Sequence, residues 1–137
     1  MKKKESPSIQ FRLASDLEIN KAERDNWRLI SDKFCRGNFE PELMKVLRRK
    51  EFSITGKELM ARLPKGVLGQ LHAEAMLANQ DIIPKKWRQF ALIFATVWQV
   101  PTGHFFVPYL YWGGKKWHMS FYWLGGNFGL NDRIVWS

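Results

Sequence analysis

Few residues in this chain of 137 amino acids have side chains suited to nucleophilic catalysis or metal binding. The chain has one cysteine, Cys35, and three histidines, His72, His104 and His118, and none of them lies in a recognisable catalytic motif. His72 and Glu74 are two positions apart, so on a helix they point to different faces and do not form a metal-binding pair. We therefore expect a non-enzymatic protein with no catalytic residue, no metal site and no cofactor.

Positive charge is the chemistry that the sequence does offer. Lysine and arginine outnumber aspartate and glutamate by 22 to 13, which gives a formal net charge of +9 at pH 7. A surplus of this size favours acidic partners, although it also serves simply to keep a small protein in solution. Clustered charges produce a focused field, and we take as candidate contacts Arg48, Arg49 and Lys50, then Lys85, Lys86 and Arg88, and finally Lys115 and Lys116.

The last of these clusters follows the Gly-Gly turn of a predicted β-hairpin with strands at 104–112 and 117–124. If Trp112 lies opposite Trp117, the alternation of side chains divides the hairpin into two faces. We expect the apolar face in the core, with Trp112, Trp117, Phe121 and Trp123. The other face carries polar-tipped aromatic groups, and the candidate binding residues on it are Tyr109, Tyr111, His118 and Tyr122. Such residues stack on nucleobases or contact a protein partner, but they also stabilise sheets that bind nothing.

The first half of the chain shows helical spacing of its apolar residues, and this pattern predicts about four helices. A capping box formed by Thr55 and Glu58 marks the start of the third, and Asn79 is a plausible cap at the end of the fourth. Basic residues at the end of the second also suit its dipole, which gives Arg48 to Lys50 a purely structural explanation. The predicted helices cover residues 15–37, 41–50, 55–64 and 67–79.

After Pro84 the pattern changes to an apolar run rich in strand-forming residues, which predicts a central strand at 88–98, with a buried helix over 85–98 as the alternative. The expected fold class is α+β: a helical amino-terminal half of about four helices packed on a carboxy-terminal antiparallel meander of three or four strands. We expect a flexible basic tail at 1–8 and one domain at 9–137, with its helical part at 15–79 and its sheet part at 88–136.

These features predict a binding protein that engages an acidic partner. We favour nucleic acid over an acidic protein surface, and the alternative is an adaptor or inhibitor that acts through the aromatic sheet and the basic patches. A single cysteine cannot form an internal disulfide, and the longest apolar run, 90–100, is about half of the ~20 residues that a membrane span needs. We therefore expect a cytoplasmic protein without a membrane partner. The sequence leaves open the partner's identity, whether it is DNA, RNA or protein, and the oligomeric state.

Overall fold

Strands make up most of the regular structure in the computed structural model, which describes residues 10–13, 26–33 and 37–137. These ranges contain short strands throughout and two α-helices. The strands are β1 (Phe11–Leu13), β2 (Arg28–Ser31), β3 (Gly37–Phe39), β4 (Glu42–Lys45), β5 (Ile54–Thr55), β6 (Ala91–Ile93), β7 (Val97–Gln99), β8 (Phe105–Trp112), β9 (Trp117–Trp123), β10 (Asn127–Phe128) and β11 (Asp132–Trp136). The helices are α1 (Gly56–Ala61) and α2 (Gln70–Ala78), and two 3-10 turns cover Gln80–Ile82 and Lys85–Gln89.

Seven of the strands form one mixed sheet around β8. Its order is β2-β7-β8-β6-β11-β4, and β9 pairs with the other side of β8. The pair β6–β11 is parallel and the other pairs are antiparallel. Two small antiparallel pairs, β1–β3 and β5–β10, lie outside this sheet.

The side of β8 opposite β9 is shared by β6 and β7, because the chain bulges between them. Ile93 pairs with Tyr109 and Trp98 pairs with Phe106, so residues 94–97 face only residues 107–108. A bulge is where a sheet tolerates proline, and Pro108 lies here with its carbonyl accepting the amide of Phe94 at 3.0 Å.

The bulge is anchored to the start of α2 by buried hydrogen bonds. Thr96 is fully buried, and its hydroxyl accepts the amide of Gln70 at 2.7 Å and donates to a carboxylate oxygen of Asp32. The side-chain oxygen of Gln70 in turn accepts the indole N–H of Trp98 at 2.7 Å. These bonds join the edge strand β2, the sheet and the helix, so every buried polar group in this junction has a partner.

The sheet separates two apolar cores. One core, on the side of α2, contains Leu71, Met76, Leu110 and Trp117, together with other buried residues. The second core lies under α1 and the β5–β10 pair, and it includes Leu59 and other apolar residues. Both faces of the sheet are therefore covered over much of their area.

The predicted α+β class is wrong. In place of about four helices on an antiparallel meander of three or four strands, the described residues form two α-helices and a mixed sheet of seven strands, which takes β2 and β4 from the amino-terminal half. The predicted first helix, 15–37, contains β2 and the start of β3, while its residues 15–25 and 34–36 lie outside the described ranges. The predicted second helix, 41–50, contains β4. In β4, Leu43 packs on one core and Met44 on the other. A strand between two cores is apolar on both faces, so its sequence lacks the alternation that identifies a half-buried strand.

Other predictions are confirmed. The capping box of α1 is present, with Thr55 and Glu58 bonded reciprocally, and α2 ends at Ala78 with Asn79 as its C-cap. The hairpin has the predicted register, with Trp112 opposite Trp117. The apolar run at 88–98 contains strands β6 and β7 with the bulge between them, but its first residues belong to the turn Lys85–Gln89. The predicted tail at 1–8 lies outside the described residues.

The predicted core is correct for Trp117, which is 2% exposed, and wrong for Trp123, which is 47% exposed. Phe121 and Trp112 are half-buried. Trp123 lies at the open end of the hairpin, beyond the residues of α2 that cover Trp117. The face of a strand therefore does not decide burial at the strand's end.

Candidate nucleic-acid interface

The strand order brings the three predicted basic clusters to one end of the large sheet. β4 is antiparallel to β11, so β4 ends beside the start of β11. β6 is parallel to β11, so the two strands begin side by side. β8 is antiparallel to β6, so β8 ends beside the start of β6. The loops after β4, before β6 and between β8 and β9 therefore emerge at the same end. We call this end the basic rim and define it as residues 48–53, 84–90, 113–116 and 129–133.

Exposed positive charge lies in three of the four segments of the rim. Five neighbouring strands have an end at the rim, namely β4, β11, β6, β8 and β9. The four spacings between them, of about 4.8 Å each, make the rim roughly 19 Å wide. All of the predicted basic contacts on it are exposed, namely Arg48, Arg49, Lys50, Lys85, Lys86, Arg88, Lys115 and Lys116. Arg133 adds a half-buried guanidinium whose carbon lies 4.0 Å from the ring centre of Phe90.

An ion pair holds the loop after β4 in place. Both carboxylate oxygens of Glu51 accept hydrogen bonds from Arg62 at 2.7 Å, and one of them also accepts the amide of Arg48. These bonds to Arg62 and Arg48 lower the pKa of Glu51 to about 2. Lys50 has a φ of 72°, a left-handed conformation that reverses the chain at low cost only in glycine, asparagine or aspartate. The pairing of Glu51 with Arg62 leaves Arg49 and Lys50 facing solvent.

The hairpin tip places a second group of cations beside aromatic rings. The guanidinium carbon of Arg88 lies 3.7 Å from the ring centre of Trp112, whose ring meets that of Trp117 edge-on at 6.0 Å. Gly114 has a φ of 98°, which glycine adopts without strain, so the turn can present Lys115 and Lys116 outward. Asp81 is an exposed carboxylate next to Gln80, whose side-chain oxygen accepts the amide of Trp117 at 2.7 Å.

The predicted aromatic face is divided between the core and the rim. Tyr109 and Tyr122 stack at 4.2 Å between ring centres and pack on the core under α1. Burial raises the pKa of Tyr122, and its hydroxyl donates to Asp132 at 3.1 Å. Tyr111, which is 38% exposed, stacks on His118 at the end of the strands next to the rim. Of the four predicted aromatic contacts only Tyr111 is exposed, whereas Tyr109, His118 and Tyr122 are half-buried.

Two exposed apolar residues at the rim are absent from the sequence prediction. Phe52 is 92% exposed and Leu130 is 70% exposed. The register of β5 with β10 places them opposite each other, because Ile54 pairs with Phe128. The sequence contained part of the evidence for the exposure of Phe52. Ile54 and Leu59, on either side of the capping box, pack together in the second core at the start of α1, and Phe52 has no equivalent apolar partner there.

The two carboxylates within the rim segments are engaged in hydrogen bonds with other residues of the fold. Asp132 is buried, and its two oxygens accept the hydroxyl of Tyr122 and the amide of Gly129. Glu51 is bonded to Arg62, as described above. The exposed charge of the four rim segments is thus almost entirely positive, which is the electrostatic condition for binding a polyanion.

The described part of the chain has neither a cluster of metal-binding side chains nor a helix able to span a membrane. Among residues 10–13, 26–33 and 37–137, no three histidine, cysteine, aspartate or glutamate side chains are grouped to hold a metal ion. Within the same ranges no helix has the length and apolar character needed to cross a membrane. Cys35 lies outside them. Comparisons of the chain with protein-family models, curated proteins and solved structures find no match.

Proposed function

We propose that this is a non-enzymatic nucleic-acid-binding protein that holds a single strand along the basic rim. The observation that carries the proposal is the convergence of three separate basic clusters on one end of the sheet. Separate clusters scattered over a surface only raise solubility, whereas a row of cations produces a focused field that attracts a phosphate backbone.

Accessible rings among these cations favour a single strand. Phe52 and Tyr111 present ring surface at or beside the rim, and Arg88 already lies on an aromatic ring. Unpaired bases stack on exposed aromatic and guanidinium groups, whereas bases in a duplex have their faces covered. Alternating cations and rings are therefore suited to phosphates and unpaired bases together.

The helices offer little for reading a duplex. A recognition helix projects polar and basic side chains into the major groove. α2 contains no lysine or arginine, and most of its residues are buried against the sheet. α1 has only six residues and lies over the second core. We therefore expect weaker binding to duplex DNA than to single strands.

The test is a titration of labelled single-stranded RNA, single-stranded DNA and duplex DNA at several salt concentrations, followed by fluorescence anisotropy. The double variant Lys115→Gln with Lys116→Gln removes two rim charges. Lys33→Gln with Lys65→Gln is the matched control, since both residues are exposed and line a pocket near the opposite end of β11. If each rim lysine contacts a phosphate, the first variant reduces the slope of log K against log salt by about 1.4, and the control leaves it unchanged.

Equal weakening by both double variants would show that binding follows net charge alone, and it would overturn the rim as the site. Absence of salt-sensitive binding to any of the three nucleic acids would overturn the proposed function itself.

A protein partner is the second candidate, and the exposure of Leu130 favours it. An aliphatic side chain does not stack on bases as an aromatic ring does, but a buried apolar anchor within a charged surround is typical of a protein interface. In this case the rim would bind an acidic surface as an adaptor or inhibitor. Leu130→Ser would then weaken the complex strongly, whereas it would leave nucleic-acid binding almost unchanged.

We also propose a cytoplasmic location, supported by the single cysteine in the sequence. A fluorescent fusion of the full chain, imaged in cells of its natural host, tests this location.

A further inference from the structure

An apolar pocket lies at the end of the sheet opposite the basic rim. Its volume is about 550 Å³, within the range of small-molecule sites in proteins. The strand β8 begins and β9 ends beside it, and α1 forms another side. Phe105, Trp123, Leu124 and Met60 supply apolar surface, while Lys57 and His104 supply the cation and the polar ring.

Close backbone packing forms the pocket walls. A Cβ atom at Gly56 would lie 1.9 Å from the carbonyl oxygen of Leu124, so only glycine allows α1 to approach the end of β9 this closely. A Cβ atom at Gly125 would lie 2.3 Å from the indole of Trp123, so the chain turns back directly against that ring. The indole therefore lies against the Gly125 backbone as one wall of the pocket, and almost half of its surface is exposed.

The two polar groups of the pocket are available to a ligand. The imidazole of His104 meets the indole of Trp123 edge-on at 5.6 Å, and its Nδ1 lies 2.8 Å from the hydroxyl of Thr102. This contact leaves Nε2 as the remaining polar atom of the ring. Lys57 is exposed, and no carboxylate in the described part of the chain forms an ion pair with it. The neighbouring Glu58 directs its carboxylate back to Thr55 in the capping box.

From these features we propose that the pocket binds a small aromatic carboxylate, with its ring system between Trp123 and Phe105 and its carboxylate at Lys57. Aromatic groups favour stacked and edge-on contacts with the three rings of the pocket, and a carboxylate complements its one cation. This site is separate from the basic rim and does not depend on the function proposed for it.

The experiment compares 2-naphthoate with the uncharged 2-naphthamide, followed through the indole N–H signals in ¹H–¹⁵N spectra of the full chain. We expect 2-naphthoate to shift the signal of Trp123 in a saturable way and to leave those of Trp112 and Trp117 in place. Lys57→Gln should weaken 2-naphthoate binding about fivefold, the size of an exposed ion pair, and should not change the weaker binding of 2-naphthamide. Lys65→Gln is the matched control and should have no effect on either compound.

Equal affinity of the two compounds would overturn the proposed contact between the carboxylate and Lys57 and would leave only apolar contacts in the pocket. Loss of affinity in Lys65→Gln as large as in Lys57→Gln would overturn the local role of Lys57. Failure of 2-naphthoate to shift the Trp123 signal would overturn the site. Since the rim lysines do not contribute, the variant Lys115→Gln with Lys116→Gln should bind 2-naphthoate as the unchanged protein does, whatever its nucleic-acid affinity.

Discussion

The two ends of the β8–β9 hairpin contain similar residues in different surroundings. Near the rim, Trp117 packs on the α2 core and its amide donates to the side chain of Gln80 at 2.7 Å. At the opposite end, Trp123 belongs to the same face of the same strand and has a turn of glycines beneath it instead of a helix. The first end combines a covered indole with exposed cations, and the second combines an exposed indole with an apolar pocket.

This contrast shows that the element packed above a residue decides its role more than its residue type or strand face does. Charged loops at the rim surround aromatic groups that are mostly engaged, so polyanion binding depends there on cations and a few free rings. At the pocket the rings are free and one lysine stands beside them. Four pairs of substitutions test this contrast, in decreasing order of expected effect.

The largest expected effect comes from the two indoles themselves. Trp117→Ala should lower the free energy of unfolding by about 3–5 kcal/mol, because it opens a cavity in the core. Trp123→Ala should lower it by less than about 1.5 kcal/mol, because much of that side chain is already in water. Urea denaturation measures both values, and equal losses would remove the distinction between the two ends.

The next effect concerns the junction between the bulge and α2. Thr96→Val keeps the shape of the side chain but removes the partner of the Gln70 amide, and leaving a buried amide unpaired costs about 1–3 kcal/mol. Thr102→Val is the control, since Thr102 is exposed on a turn and should change stability by less than about 0.5 kcal/mol. Chemical denaturation of both variants checks the difference, and a neutral result for Thr96→Val would show that water replaces the hydroxyl.

At the rim, Phe52→Ser should separate binding from stability. The side chain is 92% exposed, so the free energy of unfolding should change by less than about 0.5 kcal/mol. Loss of one stacked base should weaken single-strand binding by about 1–3 kcal/mol. Phe105→Ser, at the pocket end, is the control for anisotropy titrations and should leave nucleic-acid binding unchanged. Equal weakening by the two variants would contradict a rim-specific role of Phe52.

The smallest effect concerns acid stability of the loop after β4. The pKa of Glu51 is lowered from 4.5 to about 2, so its pairing with Arg62 stabilises the fold above about pH 4.5 and loses this contribution as the pH falls towards 2. Carboxyl ¹³C shifts should therefore report titration of Glu51 near pH 2. In Arg62→Gln the pKa should rise towards its ordinary value, while Lys57→Gln should leave it unchanged. Titration of Glu51 near pH 4.5 in the unchanged protein would show that its ion pair with Arg62 does not hold the loop in solution.

Local signals in the sequence were sufficient for some elements. The capping box of Thr55 and Glu58 identified α1, and the Gly-Gly turn with flanking aromatic residues identified the hairpin and its register. Each of these depends on residues close together in the chain, whose hydrogen bonds and turn geometry form with little help from the rest of the fold.

The chain by itself also determined which residues carry positive charge, and therefore the three clusters. Only the tertiary structure decided that these clusters meet at one end, because their meeting depends on the pairing of β4 with β11, β11 with β6 and β6 with β8, across long separations in sequence. The same holds for β4 itself, whose apolar residues face two cores and so imitate a helix. The exposure of Trp123 and Phe52 was also decided by the tertiary structure. It depends on which distant elements pack against these residues, and the local sequence pattern does not indicate those elements.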